Sequence, residues 1–577
     1  MVKEPFMKLM KRAAAFLLTA ALGLSVLCGC QEETPAEAPA AVAPETLSVC
    51  LGAAPGTLDP AYATEPREQT LISNLYANLM RLTVDENGNT VPVPDMAKSY
   101  EEEKNVDGSV TYTFRLRSAK WSDGSAVIAD DFVYAWKRLA DPATGSPNAA
   151  LLSMISGYDT VRSTGDVSAL QVEAKNSSTL VVTITGTCEW FLTDVCASAA
   201  ASPLRQSAAE QPANDTAQAT EATGDTEAPA ASESVDYTQL VTNGPYQVAS
   251  ADSTGMILEQ NATYEETTRP GNIRVVYANT PEAGWALYEA GRVDFLAELP
   301  EAQLKQLALD PSWTPAADPT TCTLLFNTTH EVLADPLVRE ALQLAIDRTA
   351  LSTAAGAGCT PASGLVSGSV PDPDANPATF RTHGGDLVVC DPALMASNRA
   401  TANLRLIEAG YDQDFPLPEL QLFYADNDRH AETARLLAEM WSSVLEITVT
   451  AVAMDEAALN TALTERQYAM AITNITAAAN DAQCFLDRWT TSHPDNVTGY
   501  SNSAFDTLLT VIHGASDNDA RRGCLHDAES LLLEDCPLTP LYFTGSAWAM
   551  RDTLTGLVRD GRGSFLFSDI VLVSAES

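Results

Sequence analysis

Residues 111–149 read TYTFRLRSAKWSDGSAVIADDFVYAWKRLADPATGSPNA. With Val110 in front, Tyr112, Phe114 and Leu116 alternate with Thr111, Thr113, Arg115 and Arg117. A period of two predicts a strand with one face in a core and the other toward water. Asp123-Gly124 then predicts a tight turn, because glycine reaches backbone angles closed to other residues. Beyond the turn, 130–139 reads as a helix carrying Phe132, Tyr134 and Trp136, with Asp130 as its expected cap. Trp121, large and amphipathic, is expected in the core.

The same alternation of strand and helix continues outward. Segments 180–185, 273–277 and 447–451 read as strands, and 64–79 as a helix. Asp335-Pro336 opens another helix with a capping carboxylate and a proline in the first turn. Leu337, Val338, Ala341, Leu342, Ala345 and Ile346 share one of its faces. Residues 433–441, with Leu436, Leu437, Met440 and Trp441, form a further amphipathic helix. Leu58-Asp59-Pro60 and Gly244-Pro245 predict turns at strand ends. This order predicts an α/β protein with mixed sheets. At 577 residues the chain exceeds one hydrophobic core, and 45% apolar residues supply enough for two or three.

The N-terminal segment sets the compartment. Lys8, Lys11 and Arg12 precede an apolar run at 13–27, short for a membrane span and suited to a signal peptide. It ends in Leu27-Cys28-Gly29-Cys30, which resembles a bacterial lipobox; cleavage before Cys30 would leave a lipid on that residue. Residues 1–29 are then the signal peptide, and 30–46 an acidic Pro/Ala tether. Segment 206–236 has seven acidic residues and no Lys, Arg or aromatic, which predicts a disordered insertion.

Lys and Arg number 34 against 76 Asp and Glu, a formal charge of −42. Such a field repels nucleic acid. The six histidines show no paired spacing such as HExxH, and there is no CxxC, Walker, GxGxxG or G-x-S-x-G pattern. No catalytic group, cofactor or metal is expected. Nine cysteines follow Cys30, an odd number. Cys188 with Cys196, and Cys524 with Cys536, are near enough in sequence for local bridges; buried thiols are the alternative.

Several stretches together resemble the bacterial extracellular solute-binding proteins of family 5, the oligopeptide- and dipeptide-binding lipoproteins of ABC importers. They are LGAAPGTLDPAYATE (51–65), LISNLYANLMRL, TNGPY (242–246), LFN (325–327), DPLVREALQLAIDR (335–348), PASGLV, EAGY (408–411), LFYADNDRH (422–430), TGYSNSAFDTLL and CPLTPLYF. Most specific is 111–149, where Lys120, Trp121, Ser122, Asp123, Gly124, Asp131 and Phe132 fit the family's signature. The matches run in order from about 47 to 577.

The resemblance implies a periplasmic-binding-protein-like fold of type II, large class. A discontinuous lobe I (47–80, 241–318, 545–577) carries an inserted subdomain (81–240), and lobe II covers 319–544, around a hinged cleft. It implies a monomeric, non-enzymatic importer subunit that captures a peptide and delivers it unchanged to transmembrane permease subunits with cytoplasmic ATPases. The lipid on Cys30 would hold it outside the cytoplasmic membrane, on the surface of a single-membrane cell or facing a periplasm. Another small solute (a sugar or a metal chelate), or a sensing role, is the alternative. Candidate ligand contacts are Ala63, Thr64, Glu65, Asn148, Asn474, Asn480 and Asp481; Arg429 reads as a surface ion pair. Peptide-binding members pair the ligand's amino terminus with an aspartate whose segment corresponds to ITNITAAANDAQCFLDRW (472–489). Counting back from Phe485 and Leu486 puts that aspartate at Ala478, so Asn480 or Asp481 would have to replace it.

Overall fold

The structure, a computed structural model, describes residues 46–85, 90–206, 236–265, 270–310, 313, 315–372 and 379–572. They lie within one unit, Ala43–Leu572. The expected signal peptide, Cys30 and the tether lie outside the described residues, except that Thr46, expected as the tether's last residue, instead opens a strand; nearly all of the expected insertion at 206–236 lies outside them too. Among the described residues, no helix is long and apolar enough to cross a membrane.

Three sheets organise the chain. The first orders its strands Ala549–Met550, Phe295–Leu296, Thr46–Cys50, Asn272–Val276, Gly255–Gln260 and Tyr246–Asp252. Thr46–Cys50 runs parallel to both of its neighbours. The second sheet orders Thr360–Pro361, Leu538–Ser546, Ala316–Phe326, Met470–Thr476, Leu420–Ala425 and Val449–Met454. In its long strand Ala316–Phe326, Cys322–Phe326 is buried without a break. Burial of consecutive residues, Thr323 included, marks a strand covered on both faces. Two apolar clusters serve this sheet, one around Trp441 and Leu342, the other around Phe485 and Leu525.

The third sheet is antiparallel: Ala97–Lys104, Val110–Leu116, Thr179–Ile184 and Val172–Asn176. It shares one core with the first sheet. "First half" below means these two sheets with their helices and the 554–572 segment; "second half" means the second sheet with its helices. Val110, Tyr112, Phe114 and Leu116 are buried as their alternation predicts. Trp121 is fully buried, and Gly124 takes a φ of 86° in the turn.

The expected cap is corrected: Ile128 is the N-cap residue, and Asp131, the third helical residue, bonds back to it. Asp130 is exposed, whereas the Asp131 carboxylate accepts the Ile128 amide at 2.9 Å and the Trp121 indole N–H at 3.1 Å. One acid thus ties the head of helix Ala129–Ala140 to the turn in front of it. Asp131→Ala leaves both donors without that partner and is expected to cost about 2 kcal/mol in urea unfolding, against near neutrality for Asp130→Ala. At the other expected cap, Asp335 accepts the Leu337 amide at 2.9 Å and opens helix Pro336–Leu344. All nine described cysteines are free thiols, so neither local bridge forms.

Candidate functional site

Helix Pro66–Leu75 carries a buried polar stripe. Asn74 Nδ2 donates to the Phe565 carbonyl at 2.9 Å, and its oxygen accepts the Phe567 amide at 3.0 Å. Thr70 Oγ1 accepts the Phe565 amide at 3.1 Å. Gln69 and Ser564 meet at 3.4 Å. These bonds grip a hairpin, Val558–Arg559 paired with Phe565–Leu566. Its turn, Asp560-Gly561-Arg562-Gly563-Ser564, is closed by the Asp560 carboxylate, which accepts the amides of Arg562 (2.9 Å) and Ser564 (2.7 Å). An Asx-type turn of this kind fixes the hairpin tip.

Beside the tip lies the helical turn Phe191–Val195. Phe191 is buried against Tyr112 and Trp136, with centroids 4.8 and 6.4 Å away. That anchor leaves Asp194, three residues on, half-buried at the surface of the first half. The second half faces it with Ser369, Pro371, Asn480 and Asp481. A cavity of about 410 Å³ lies between, walled by both halves. A second, of about 470 Å³, shares Gln69, Arg559 and Arg562 with it and extends past Thr64, Glu65, Arg67 and Glu298 to Pro319, Thr320 and Ala477. The two are compartments of one cleft. A crevice between sheet-centred bodies is where solutes are bound in general.

The charges are unevenly spent. Asp481 is held bidentate by Arg521 (2.7 and 3.0 Å), and Glu189 by Arg522 at 2.6 Å. Arg559 is occupied by Asp318 at 2.7 Å. Asp194 and Asp560 are left facing Arg562. Burial pushes the Asp194 carboxyl up to about 6; the bonds from Thr193 and the Asn480 amide oppose this, and Asp560 adds to it. Burial also raises Asp560, against its amide bonds and Arg562. Two half-buried carboxylates facing one guanidinium favour an incoming positive charge.

The sequence candidates fall in different places. Thr64 and Glu65 line the second compartment. Ala63 is fully buried, its carbonyl accepting Asn148 Nδ2 at 2.9 Å and Gln69 Nε2 at 3.2 Å. Asn148 is buried behind the wall, with Arg562 at 3.5 Å from its oxygen. Asn480 lines the first compartment, but its side chain is bonded both ways to Ser369, at 2.9 and 3.0 Å. Its amide donates to Asp194 at 2.8 Å, which joins the two halves. Asp481 also lines the compartment, with both oxygens taken by Arg521. Asn474 is exposed on strand Met470–Thr476 near His430 and lines neither compartment, and Arg429 is exposed on its helix. The reading of the sequence missed Asp194, Arg559, Asp560 and Arg562. The turn-rich string RDGRGS (559–564), with two arginines, was the available signal.

The description "Bacterial extracellular solute-binding proteins, family 5 Middle" matches residues 91–496. The chain belongs to that family, and is therefore a binding protein rather than an enzyme. It is 27% identical to the oligopeptide-binding protein OppA of Bacillus subtilis, over 90% of this chain and 92% of the relative. It is 25% identical to the dipeptide-binding protein DppE of the same organism, over 88% of each. The solved structure of the Escherichia coli murein tripeptide binding protein MppA superposes with a TM-score of 0.70 at 24% identity, covering 93% of this chain and all of that one. The fold is thus the α/β, type II periplasmic-binding-protein architecture expected from the sequence.

Proposed function

We propose that this protein is the substrate-binding subunit of an ABC importer and that its ligand is a peptide with a free amino terminus. It would hand that peptide unchanged to transmembrane permease subunits, from a position outside the cytoplasmic membrane and anchored through Cys30. The observation that carries the ligand assignment is the acidic compartment between the halves. Asp194 stands against the Asn480 amide, beside the 478–481 loop, and supplies from the first half the carboxylate that Ala478 lacks in the second. Asp560 adds a second negative charge. The remainder of the ligand extends past Thr64 and Glu65 into the other compartment. The relatives' names, oligopeptide-binding and dipeptide-binding, fit a ligand of this class. The proposed hinged bodies are 47–80 with 241–318 and 545–577, carrying the insertion 81–240, and 319–544.

Calorimetric titration with a peptide pool tests the ligand, using ligands identified by mass spectrometry of what denatured protein releases. Peptides with free amines bind, and N-acetylated versions bind at least tenfold more weakly. Asp194→Asn costs about 2–5 kcal/mol, roughly 30- to several-thousand-fold in affinity. Equal affinity for acetylated and free peptides would overturn the amine assignment. The pH dependence has a defined sign. Below about 6 the Asp194 carboxyl of the empty protein takes up a proton, so affinity falls with acidification, by at most about tenfold per pH unit. The fold itself responds oppositely. Its raised Asp194 binds a proton more tightly than the unfolded chain does, so the empty protein loses stability as pH climbs from about 4 through 6.

A further inference from the structure

Behind the second half's wall of the cleft, three side chains from separate segments converge. The Asp372 side chain has no solvent exposure, and its Oδ2 is 2.7 Å from His383 Nδ1 and 3.2 Å from His526 Nε2. One ligand atom from each residue lies within 4.8 Å of the other two. His383 belongs to the short helix Phe380–Gly384, and His526 to the long helix Asn518–Asp535. Phe380 stacks on the His526 ring at 3.8 Å, and the His383 ring meets it edge-on at 4.8 Å. His526 is therefore held in one orientation before any ligand arrives.

We propose that Asp372, His383 and His526 form a binding site for a divalent transition cation of the zinc, cobalt or nickel kind. Two imidazole nitrogens and one carboxylate oxygen are the donor set such ions take. With bonds of about 2.0–2.1 Å, the edges of a tetrahedral site are about 3.3 Å long. The 2.7 and 3.2 Å contacts of Asp372 Oδ2 reach that with shifts of up to about 0.6 Å, and the two imidazole nitrogens, which lie within 4.8 Å of each other, must draw together by a turn of the exposed His383 ring. His383, whose side chain is 47% exposed, leaves a route from solvent and room for water as a fourth ligand.

The surrounding charge suits a dication. Arg522 contacts Asp372 at 3.7 Å, Glu189 at 2.6 Å, and Asp519; Arg381 pairs with Glu529 at 2.7 Å. Four carboxylates against two guanidinium groups leave two negative charges, which one divalent ion cancels. The sequence could not announce this site. His383 lies 11 residues and His526 154 residues from Asp372, outside any short metal-binding spacing. The site is independent of the peptide assignment: no residue of the triad lines either compartment of the cleft. Once loaded, the ion would tie Asp372 and the short helix Phe380–Gly384 to helix Asn518–Asp535, and through Arg522 to Glu189 of the first half.

The test is calorimetric titration of the chelator-treated full chain with Zn²⁺, together with Co²⁺ absorption spectra and melting curves. Wild type is expected to bind one ion per chain, to melt at higher temperature with it, and to give a cobalt spectrum free of thiolate charge transfer. His383→Ala, a change at an exposed ring, and His526→Gln, which keeps a polar side chain of similar length, should each weaken binding at least about tenfold. His493→Ala should leave it unchanged. If neither triad variant changes the affinity, if wild type binds no ion, or if cobalt shows thiolate charge transfer, the assignment is wrong.

Discussion

Replacing Arg521 with alanine is expected to lower the unfolding free energy by about 3–5 kcal/mol, the cost of leaving one member of a buried ion pair without its partner. The Arg521 side chain is 1% exposed and that of Asp481 10%. The guanidinium donates to both Asp481 oxygens at 2.7 and 3.0 Å and to Gln483 Oε1 at 2.8 Å. Removing it strands the Asp481 carboxylate and a buried amide oxygen in the wall of the cleft. Urea unfolding followed by fluorescence measures the loss. The double change Arg521→Met with Asp481→Leu should recover much of it, because paired apolar groups carry no desolvation cost. At the exposed Arg435, bonded to Glu432 and Glu439, alanine should change little. An Arg521→Ala protein as stable as wild type would show that the pair does not anchor the 480–484 turn.

Gly561→Val is expected to weaken ligand binding by roughly 5- to 150-fold while leaving the empty protein about as stable as before. The magnitude follows from an overpacking cost of about 1–3 kcal/mol converted to affinity. A Cβ at Gly561 would lie 2.8 Å from Asn480 Nδ2 and 2.9 Å from its Cβ. Gly561 sits at the hairpin tip of the first half, and Asn480 belongs to the second. Asn480 has no freedom to retreat, being bonded to Ser369 through its amide and to Asp194 through its backbone. The added carbons must hold the halves apart and admit water to the acidic compartment. Calorimetry gives the affinity, and small-angle scattering should show a larger radius for the variant under saturating ligand. Wild-type affinity in Gly561→Val would mean that the hairpin tip and the 480 loop need not touch for binding.

What the sequence revealed depended on distance along the chain. The strand at 110–116, its turn and the following helix could be read because each is a local pattern, of period two, Asp-Gly and period 3.6. Even there, Asp130 and Asp131 could not be told apart; only the helix start at Ala129 and the position of the Trp121 indole single out Asp131 as the acid that bonds back to Ile128. The cleft was legible in outline, since Thr64, Glu65, Asn480 and Asp481 all reach it. Its chemistry was not. Whether Asp481 can serve a ligand depends on Arg521, forty residues on and behind it. Asp194 and Asp560 lie far apart along the chain, and no spacing rule joins a helical turn to a hairpin so remote in sequence. Asn148 was found, but as a brace for Ala63 and Arg562 rather than as a lining residue.

The grip of helix Pro66–Leu75 on the Val558–Leu566 hairpin has a consequence for synthesis. A chain made from its N-terminus presents Gln69, Thr70 and Asn74 long before Arg559, Asp560 and Arg562. Until then Gln69, Thr70 and Asn74 have no hairpin to hold, and the acidic compartment lacks one side. The cleft between the halves is therefore completed only once residues 558–566 have been made.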